Sequence, residues 1–420
     1  MHRVSSHMTN RDLQYHLRGQ ETRLNRVNNQ IGSQGKIGSL RDDPIAAGHL
    51  VRYKSFLTRV QNFEKNAQTL ADKISVAEGY LSSSLDVVHR VRTLAVQAAN
   101  GTYTRDDLRL MSAEVDELLK ELVQNANGLD GDGNLLFAGT KTKGAAFEPV
   151  VGAVPGAAEP MITEVRYAGN VDVNSVEVDE GATLPVDRAG DRIFWAERQR
   201  LTAQRDHSAF RVPEDSMINV DGVTIALKAG DNVSTVAAKI NDSGAAVRAE
   251  IDPGTRGLAL TTTDSRQLWL QDAEGTILRD LGLIGDSSQR PPNNIAAGSA
   301  QISGGPLKEG SLFEAVIALR DAMLAGDQES IGGKVLGALD QGFDNLNTRI
   351  ARLGSDYERA ALNAERNSAT ALNVTAEIAR EGDLDMTEAL MNLKMLELVQ
   401  QATLAVSARI HDNTLLNYLR

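Results

Sequence analysis

Residues 44–99 read PIAAGHLVRYKSFLTRVQNFEKNAQTLADKISVAEGYLSSSLDVVHRVRTLAVQAA, and the spacing of their apolar side chains decides the fold. Stepping by three and four from Leu50 gives Leu50, Tyr53, Leu57, Val60, Glu64, Ala67, Ala71, Ile74, Glu78, Leu81, Leu85, Val88, Arg92, Ala95 and Ala99, and twelve of these fifteen positions are apolar. A 3.5-residue repeat held this long far exceeds the ~11 to 12 residues of an ordinary globular helix. It predicts a rod packed along its whole length, about 75 Å at 1.5 Å per residue. Asp42, Asp43 and Pro44 place capping acids and a proline at its start. Asn100 and Gly101 end it, and Leu108, Met111, Val115, Leu118 and Leu122 mark an antiparallel return helix closed by Asn127 and Gly128. Together these segments make an αα-hairpin.

Working outward, the same step recurs at both ends. Leu13, Leu17, Gln20, Leu24, Val27 and Ile31 line one seam, broken only by Gln20, before Gly32, Gly35 and Gly38 interrupt the pattern. Toward the other terminus Leu339, Phe343, Leu346, Ile350, Leu353, Tyr357, Ala360, Ala364, Asn367, Ala371, Val374 and Ile378 form a second rod with Asn367 its single polar member. Two rods of matched length are expected to pack against each other, the alternative being two unrelated helical bundles. After Gly382 a last helix carries Met391, Met395, Leu398, Ala402 and Ala405 on one side and Leu393, Leu396, Val399, Thr403, Val406 and Ile410 on another. A helix apolar on several faces must be buried on several faces, and one N-terminal helix covers only part of it, so other subunits are the expected cover. The candidate assembly residues are Leu13, Leu17, Leu24, Val27, Ile31, Leu390, Leu393, Leu396, Val399, Val406, Ile410, Leu415, Leu416 and Leu419. Short helices alone in water are marginal, so both termini are expected to be disordered in the monomer and to order on assembly.

Between about Phe147 and Ser303 the sequence changes character: Gly, Pro, Asp and Thr punctuate short β-branched runs such as 162–167 and 171–178. Residues 217–220, Asp221-Gly222 and 223–227 read as a hairpin with a primed turn. A short helix follows, capped by Asn232 or Ser234 and lined by Val236, Ala237 and Ile240, and 247–251 and 258–262 supply two more strands around a Pro253-Gly254 turn. The expected architecture is mainly α with an inserted α+β region: terminal assembly helices at 1–43 and 380–420, long antiparallel rods and a hairpin at 44–147 and 304–379, and a β-rich outer domain at 148–303 with a compact module at about 217–284.

Composition narrows the chemistry. With 44 basic and 56 acidic residues the net charge is -12, which opposes nucleic-acid binding, and no basic patch stands out. Cysteine is absent, so disulfides, thiolate nucleophiles and Cys-based metal sites are excluded. Residues 1–20 lack the apolar core of a cleaved secretory signal, and no window approaches the ~18 apolar residues of a membrane span. No membrane insertion is expected. Asp130, Asp132 and Asn134 mimic the opening of a calcium loop, but Leu135 and Lys141 stand where glycine and glutamate are needed, so a turn is the better reading. The stretch from Gly326 to Lys334 has the wrong spacing for a phosphate loop. The seven histidines, His2, His7, His16, His49, His89, His207 and His411, show no metal-ligand spacing. No catalytic residues, cofactor or metal are expected. Glu64, Glu78 and Arg92 interrupt the first rod's seam; either they flank its edge or they pair across it.

Several strings coincide in the order used by the flagellin superfamily, which the chain resembles over nearly its whole length, most of all the hook-associated junction proteins. They are Gly35-Lys36 through Arg41-Asp42-Asp43-Pro44-Ile45-Ala46-Ala47, with Arg41 in place of the usual serine, then Asn100-Gly101-Thr102, and Asp130 through Phe137-Ala138-Gly139. Phe147 follows, with Ala146 where the family has proline, and the end carries Ala389-Leu390-Met391, Leu404-Ala405-Val406 and Leu415 to Arg420. Ile218-Asn219, Ile240-Asn241 and Leu281-Gly282-Leu283 resemble a module of flagellins and hook-associated proteins. The resemblance implies a structural subunit exported unfolded by the flagellar export apparatus without a cleaved signal, with an export chaperone at its C-terminal helix. Its implied partners are copies of itself, the first hook-associated protein and flagellin. Filament flagellin is the alternative, and an adhesin or enzyme using the middle module a third reading that no acid, base and nucleophile set supports.

Overall fold

The computed structural model describes residues 6–39, 41–285, 300–303 and 310–416, which fall into two compact units. One comprises residues up to 65 together with those from 363 onward, and the other residues 66–362. The boundary falls within two long helices, α2 (Pro44–Ala98) and α8 (Leu336–Gly382).

In the first unit α1 (Ser6–Ser33) and α9 (Met386–Leu416) join the start of α2 and the end of α8. Asp43 Oδ1 accepts the backbone N–H groups of Ile45 and Ala46, both at 3.0 Å, so the expected acidic cap starts α2. Asp385 does the same for α9, accepting from Thr387 at 2.9 Å and Glu388 at 3.1 Å. Leu50 reaches the backbone of Gly382, and His49 lies 3.7 Å from Glu381.

In the second unit α2 and α8 run antiparallel, as the two matched repeats predict. Arg92 pairs with Asp340, and three residues back on α2 His89 meets Phe343, three residues on along α8, at 6.3 Å. Arg92 thus pairs across the seam, whereas Glu64 and Glu78 sit half-buried at its rim. Replacing Glu78 with leucine is expected to raise stability by a few tenths to about 1 kcal/mol, read as a higher melting temperature, with assembly unchanged.

The return helix α3 (Arg105–Ala126) opens with a reciprocal cap between Thr104 and Asp107. It lies antiparallel to α2, with Arg90 2.7 Å from Glu114 and Asn125 donating to Ser83 at 3.1 Å. A second buried row on α2, Leu70, Ala77, Ser84, Val91 and Ala98, recurs every seven residues beside the expected seam. This stretch of α2 is therefore covered on two sides.

Helix α6 (Leu312–Ala325) was not legible as an element, because it is apolar nearly all round and shows no single stripe. It packs on α3 and buries Arg320 completely. That guanidinium donates to Asp116 at 2.9 Å and to the Ile162 carbonyl at 2.8 Å, the pairing a buried charge requires. A short turn α7 (Gln328–Ser330) and one wider turn at Ile331–Val335 lead into α8.

All the named sheet pairings are antiparallel. Strands β1 (Phe147–Gly152) and β2 (Met161–Tyr167) pair as one hairpin, and β3 (Ser175–Asp179) and β4 (Ala182–Pro185) as another. The expected run 171–178 is strand only from Ser175. Before it, local side-chain bonds compete with the ladder: Asn170 donates to Asp172 at 3.1 Å and Asn174 to Asp187 at 2.7 Å.

The remaining strands form the module. They are β5 (Arg200–Ala203), β6 (Ser216–Val220), β7 (Val223–Leu227), β8 (Val247–Ile251), β9 (Leu258–Thr262), β10 (Leu270–Glu274) and β11 (Ala300–Ser303), with α4 (Val233–Asp242) and α5 (Ile277–Asp280). One sheet has the order β11-β5-β9-β8 and the other β10-β6-β7. They share a core in which Ile218, Val220, Val236, Ile240 and Leu260 are fully buried. Asp221 and Gly222 take φ of 52° and 84°, the primed turn expected of that pair, and Asn232 caps α4 by accepting from Thr235 at 2.8 Å.

The few aromatics are concentrated where helices meet strands. Phe137, Phe147, Phe194 and Phe313 are fully buried, with ring centroids 5.0 to 5.7 Å apart. Gly139, two residues after Phe137, has φ +65°, and a side chain there would overlap Asn170. Gly139→Ala is expected to cost about 1–3 kcal/mol through strain in this left-handed conformation, seen as a lower urea midpoint with an unchanged slope.

Candidate assembly surface

The terminal helices are held by a corner built from backbone bonds. The segment after α1 crosses the break between α8 and α9: Lys36 N–H donates to Gly382 O at 2.7 Å, and Leu384 N–H to Gln34 O at 3.1 Å. Gln30 donates to Lys36 O at 2.6 Å, and Lys36 Nζ to Arg380 O at 3.1 Å. Asp42 ties the loop to α1. Its carboxylate accepts from the backbone of Gly38 and Ser39 and lies 2.9 Å from Arg26. The Ser39 N–H foremost holds it below the usual carboxylate range.

From this corner α1 and α9 pack along each other. Leu17, Leu24, Val27 and Ile31 of α1 are half-buried, as are Leu393 and Leu396 of α9. Gln20, the polar break in the α1 seam, donates to Thr403 Oγ1 across the pair at 3.2 Å. At 100° per residue, Leu393, Leu396, Gln400, Thr403 and Ser407 share one side of α9, and Met391, Met395, Leu398, Ala402 and Ala405 lie opposite. That opposite side has no cover among the described residues: Met391 is 63% exposed, Met395 59% and Leu398 69%. Leu390, Val399, Leu404 and Val406 are exposed beside it.

The helices and the module now have known counterparts. Residues 4–142 match the bacterial flagellin N-terminal helical region, 216–264 the flagellin hook IN motif, and 336–419 the bacterial flagellin C-terminal helical region. The chain belongs to the flagellin superfamily. It is 28% identical to flagellar hook-associated protein 3 of Escherichia coli over 47% of this chain and 58% of that protein, so it spans little more than half of that relative. Identity to flagellar hook-associated protein 3 of Salmonella typhimurium is 26%, over 57% of this chain and 75% of the relative. Flagellin A of Vibrio anguillarum is 23% identical across 92% of this chain and 90% of its own. Among solved structures, hook-associated protein-3 from Legionella pneumophila overlaps 78% of this chain and 97% of that one, with a TM-score of 0.46 at 16% identity.

Within this flagellin-like chain Leu17, Leu24, Val27, Ile31, Leu393 and Leu396 are half-buried on the two packed helices, whereas Leu390, Val399 and Val406 are exposed. Leu419 and the side chains of Leu13, Ile410, Leu415 and Leu416 lie outside the described residues. Both terminal segments are helical where described.

The motif look-alikes resolve as structure. Asp130 Oδ1 accepts from the backbone of Asp132 at 3.0 Å and Asn134 at 2.8 Å, so its lone pairs hold a turn. Gly326 is the left-handed end of α6 at φ 73°, and Asp327 caps the next turn. Among the described residues no group of three or more His, Asp or Glu could hold a metal, and no helix is long and apolar enough to cross a membrane. Sequence reading did not find Asp385 as the cap of α9 or the Lys36 corner. The first had a signal, an acid two residues before Thr387; the second rests on backbone groups and had none.

Proposed function

We propose that this chain is a structural subunit of the bacterial flagellum that joins hook to filament, assembled through its terminal helices after export in an unfolded state. The observation that carries the reading is the uncovered apolar side of α9, opposite the side that packs on α1. An apolar stripe of this length facing water is costly, and a polymer of helical termini buries it. Leu13, Leu17, Leu24, Val27 and Ile31 of α1, with Leu390, Leu393, Leu396, Val399, Val406, Ile410, Leu415, Leu416 and Leu419, form the assembly surface in this reading. The partners are copies of the chain, the first hook-associated protein on the hook side, and flagellin on the filament side. The same side of α9 suits an export chaperone before assembly, and export leaves no cleaved signal. The role is mechanical and requires no catalysis, cofactor or nucleic acid.

Electron microscopy of cells lacking the gene tests the reading: hooks present and filaments absent is the expected picture, and intact filaments would sink it. The second reading, a filament flagellin, draws on the similarity to a flagellin along nearly the full chain. Purified protein that polymerises unaided into long filaments would favour it.

A further inference from the structure

The chain contains two Asn-Gly pairs, Asn100-Gly101 after α2 and Asn127-Gly128 after α3, and each is preceded by alanine. A side-chain amide followed by glycine is open to attack by the glycine's backbone nitrogen, because no Cβ blocks the approach and the glycine backbone turns freely. Attack requires an amide that can rotate onto that nitrogen and a nitrogen that is not held elsewhere. The local sequence is nearly the same at both pairs, and the fold treats them in opposite ways.

Asn127 is fixed by four hydrogen bonds: its Oδ1 accepts from the backbone of Ala146 at 2.8 Å and Phe147 at 2.9 Å, and its Nδ2 donates to the carbonyls of Val123 at 3.1 Å and Phe147 at 2.9 Å. Gly128 is buried, and its N–H donates to Asn125 O at 3.1 Å. The Tyr80 ring closes over it, 2.7 Å from where a Cβ would stand. Freeing this amide means opening all of these contacts at once, so the reactive arrangement is rare in the folded chain.

Asn100 carries no such restraint. Its backbone is held, the N–H donating to Gln97 O at 3.1 Å and the carbonyl accepting from Tyr103 at 3.4 Å. Among the described residues neither its side-chain amide nor the Gly101 N–H makes a hydrogen bond. Gly101 is exposed, and the nearest atom to a Cβ built there is Gln328 Oε1 at 3.8 Å.

We propose that Asn100 is a site of spontaneous deamidation in the folded chain, with water as its only co-reactant, and that the fold protects Asn127. The Gly101 nitrogen gives its proton to water and bonds to Asn100 Cγ; the Cγ–Nδ2 bond breaks, and the amide nitrogen takes up a proton and leaves as ammonia. The product is a succinimide. Water then adds to one of its two carbonyl carbons and the bond from that carbon to the Gly101 nitrogen opens. Opening at Cγ gives aspartate, and opening at the backbone carbon gives isoaspartate, with nothing oxidised or reduced. Either product places a new negative charge in the turn between α2 and α3, where Gln328 donates to the Tyr103 carbonyl at 3.4 Å. The inference rests on the bonds of this hairpin alone, so it stands or falls apart from the flagellar reading.

The full chain is aged at mildly alkaline pH, folded and in urea, and peptide mass spectrometry follows both asparagines while isoaspartyl methyltransferase labels the isoaspartate product. Asn100 is expected to convert at least tenfold faster than Asn127 in the folded chain, and the two to differ by less than about threefold in urea. Gly101→Ala, at an exposed position outside the left-handed region, is expected to slow conversion at Asn100 tenfold or more with an unchanged urea midpoint. Equal folded rates, faster loss at Asn127 or no conversion at Asn100 would overturn the proposal. So would a tenfold difference that persists in urea, which would assign the protection to neighbouring sequence instead of the fold.

Discussion

Replacing Met395 and Leu398 with glutamate is expected to abolish polymerisation and motility while leaving the monomer's unfolding midpoint within about 0.5 kcal/mol of wild type, because neither side chain is buried within the chain. In the assembled state the same positions would each bury an ionised carboxylate against apolar surface, at an effective cost of several kcal/mol per charge. Two such charges in every subunit multiply along a polymer, so the loss is expected to be complete. Sedimentation of the purified variant and swimming of cells that carry it check the two halves. Normal motility would remove the uncovered side of α9 from the assembly surface. The helices behind it also have few internal contacts to protect them, so amide exchange in dilute monomer is expected to be faster along α1 and α9 than along the buried stretch of α2 from Val60 to Ala95. Equal protection would contradict the view that these termini wait for a partner.

Asp191→Asn is expected to raise stability at pH 7.5 and to flatten its dependence on pH. Asp191 is fully buried and both its carboxyl oxygens lack a hydrogen-bond partner among the described residues. Burial pushes it up to about 7 from the ordinary 3.8; Asp221 adds to the rise, and Arg192 and Arg266 oppose it. The folded chain therefore keeps this proton where the unfolded chain has lost it. Stability from this group is full below pH 3.8 and falls as pH rises to about 7, by up to roughly 4 kcal/mol at 1.36 kcal/mol per pH unit. His207, held below its ordinary value chiefly by burial, acts in the opposite direction. Comparing the variant with wild type isolates Asp191, since His207 is common to both. Urea melts at pH 4.5 and 7.5 measure it: the gap between the two proteins should widen from about 1 kcal/mol at the lower pH to roughly 4 kcal/mol at the higher. Parallel curves would mean that water or a rearranged arginine already solvates the carboxylate.

Long-range order was legible where a single period governed it. The heptad row of α8 from Leu339 through Leu346, Leu353 and Ala360 to Val374 is buried at every step, and the antiparallel pairing of the rods follows from matched length. The module's Asp221-Gly222 turn and Asn232 cap were legible because each is a local choice that a few neighbouring residues settle. Helix α6 and the second buried row of α2 were not, since an element buried on two sides carries no polar face to mark its period. The short strands β5, β10 and β11 pair with partners about 50 to 100 residues away and leave only a weak trace in their own sequence.

The candidate surface divided in the same way. That the last helix is apolar on more than one side was written in the positions of Met391, Met395, Leu398, Leu393 and Leu396. Which side α1 covers was not, because the two differ little in composition and the choice rests on the backbone corner at Lys36 and Gly382 and on the Gln20–Thr403 bond. Asp191 was equally silent, since a carboxyl's titration depends on what surrounds it rather than on its neighbours in the chain. By itself the sequence determined the helices, their periods and their capping residues, all of which depend on interactions within a few turns. Only the tertiary structure decided which apolar faces meet, which charges are buried and which side of α9 is left for a partner, because burial is a property of surfaces brought together from distant parts of the chain.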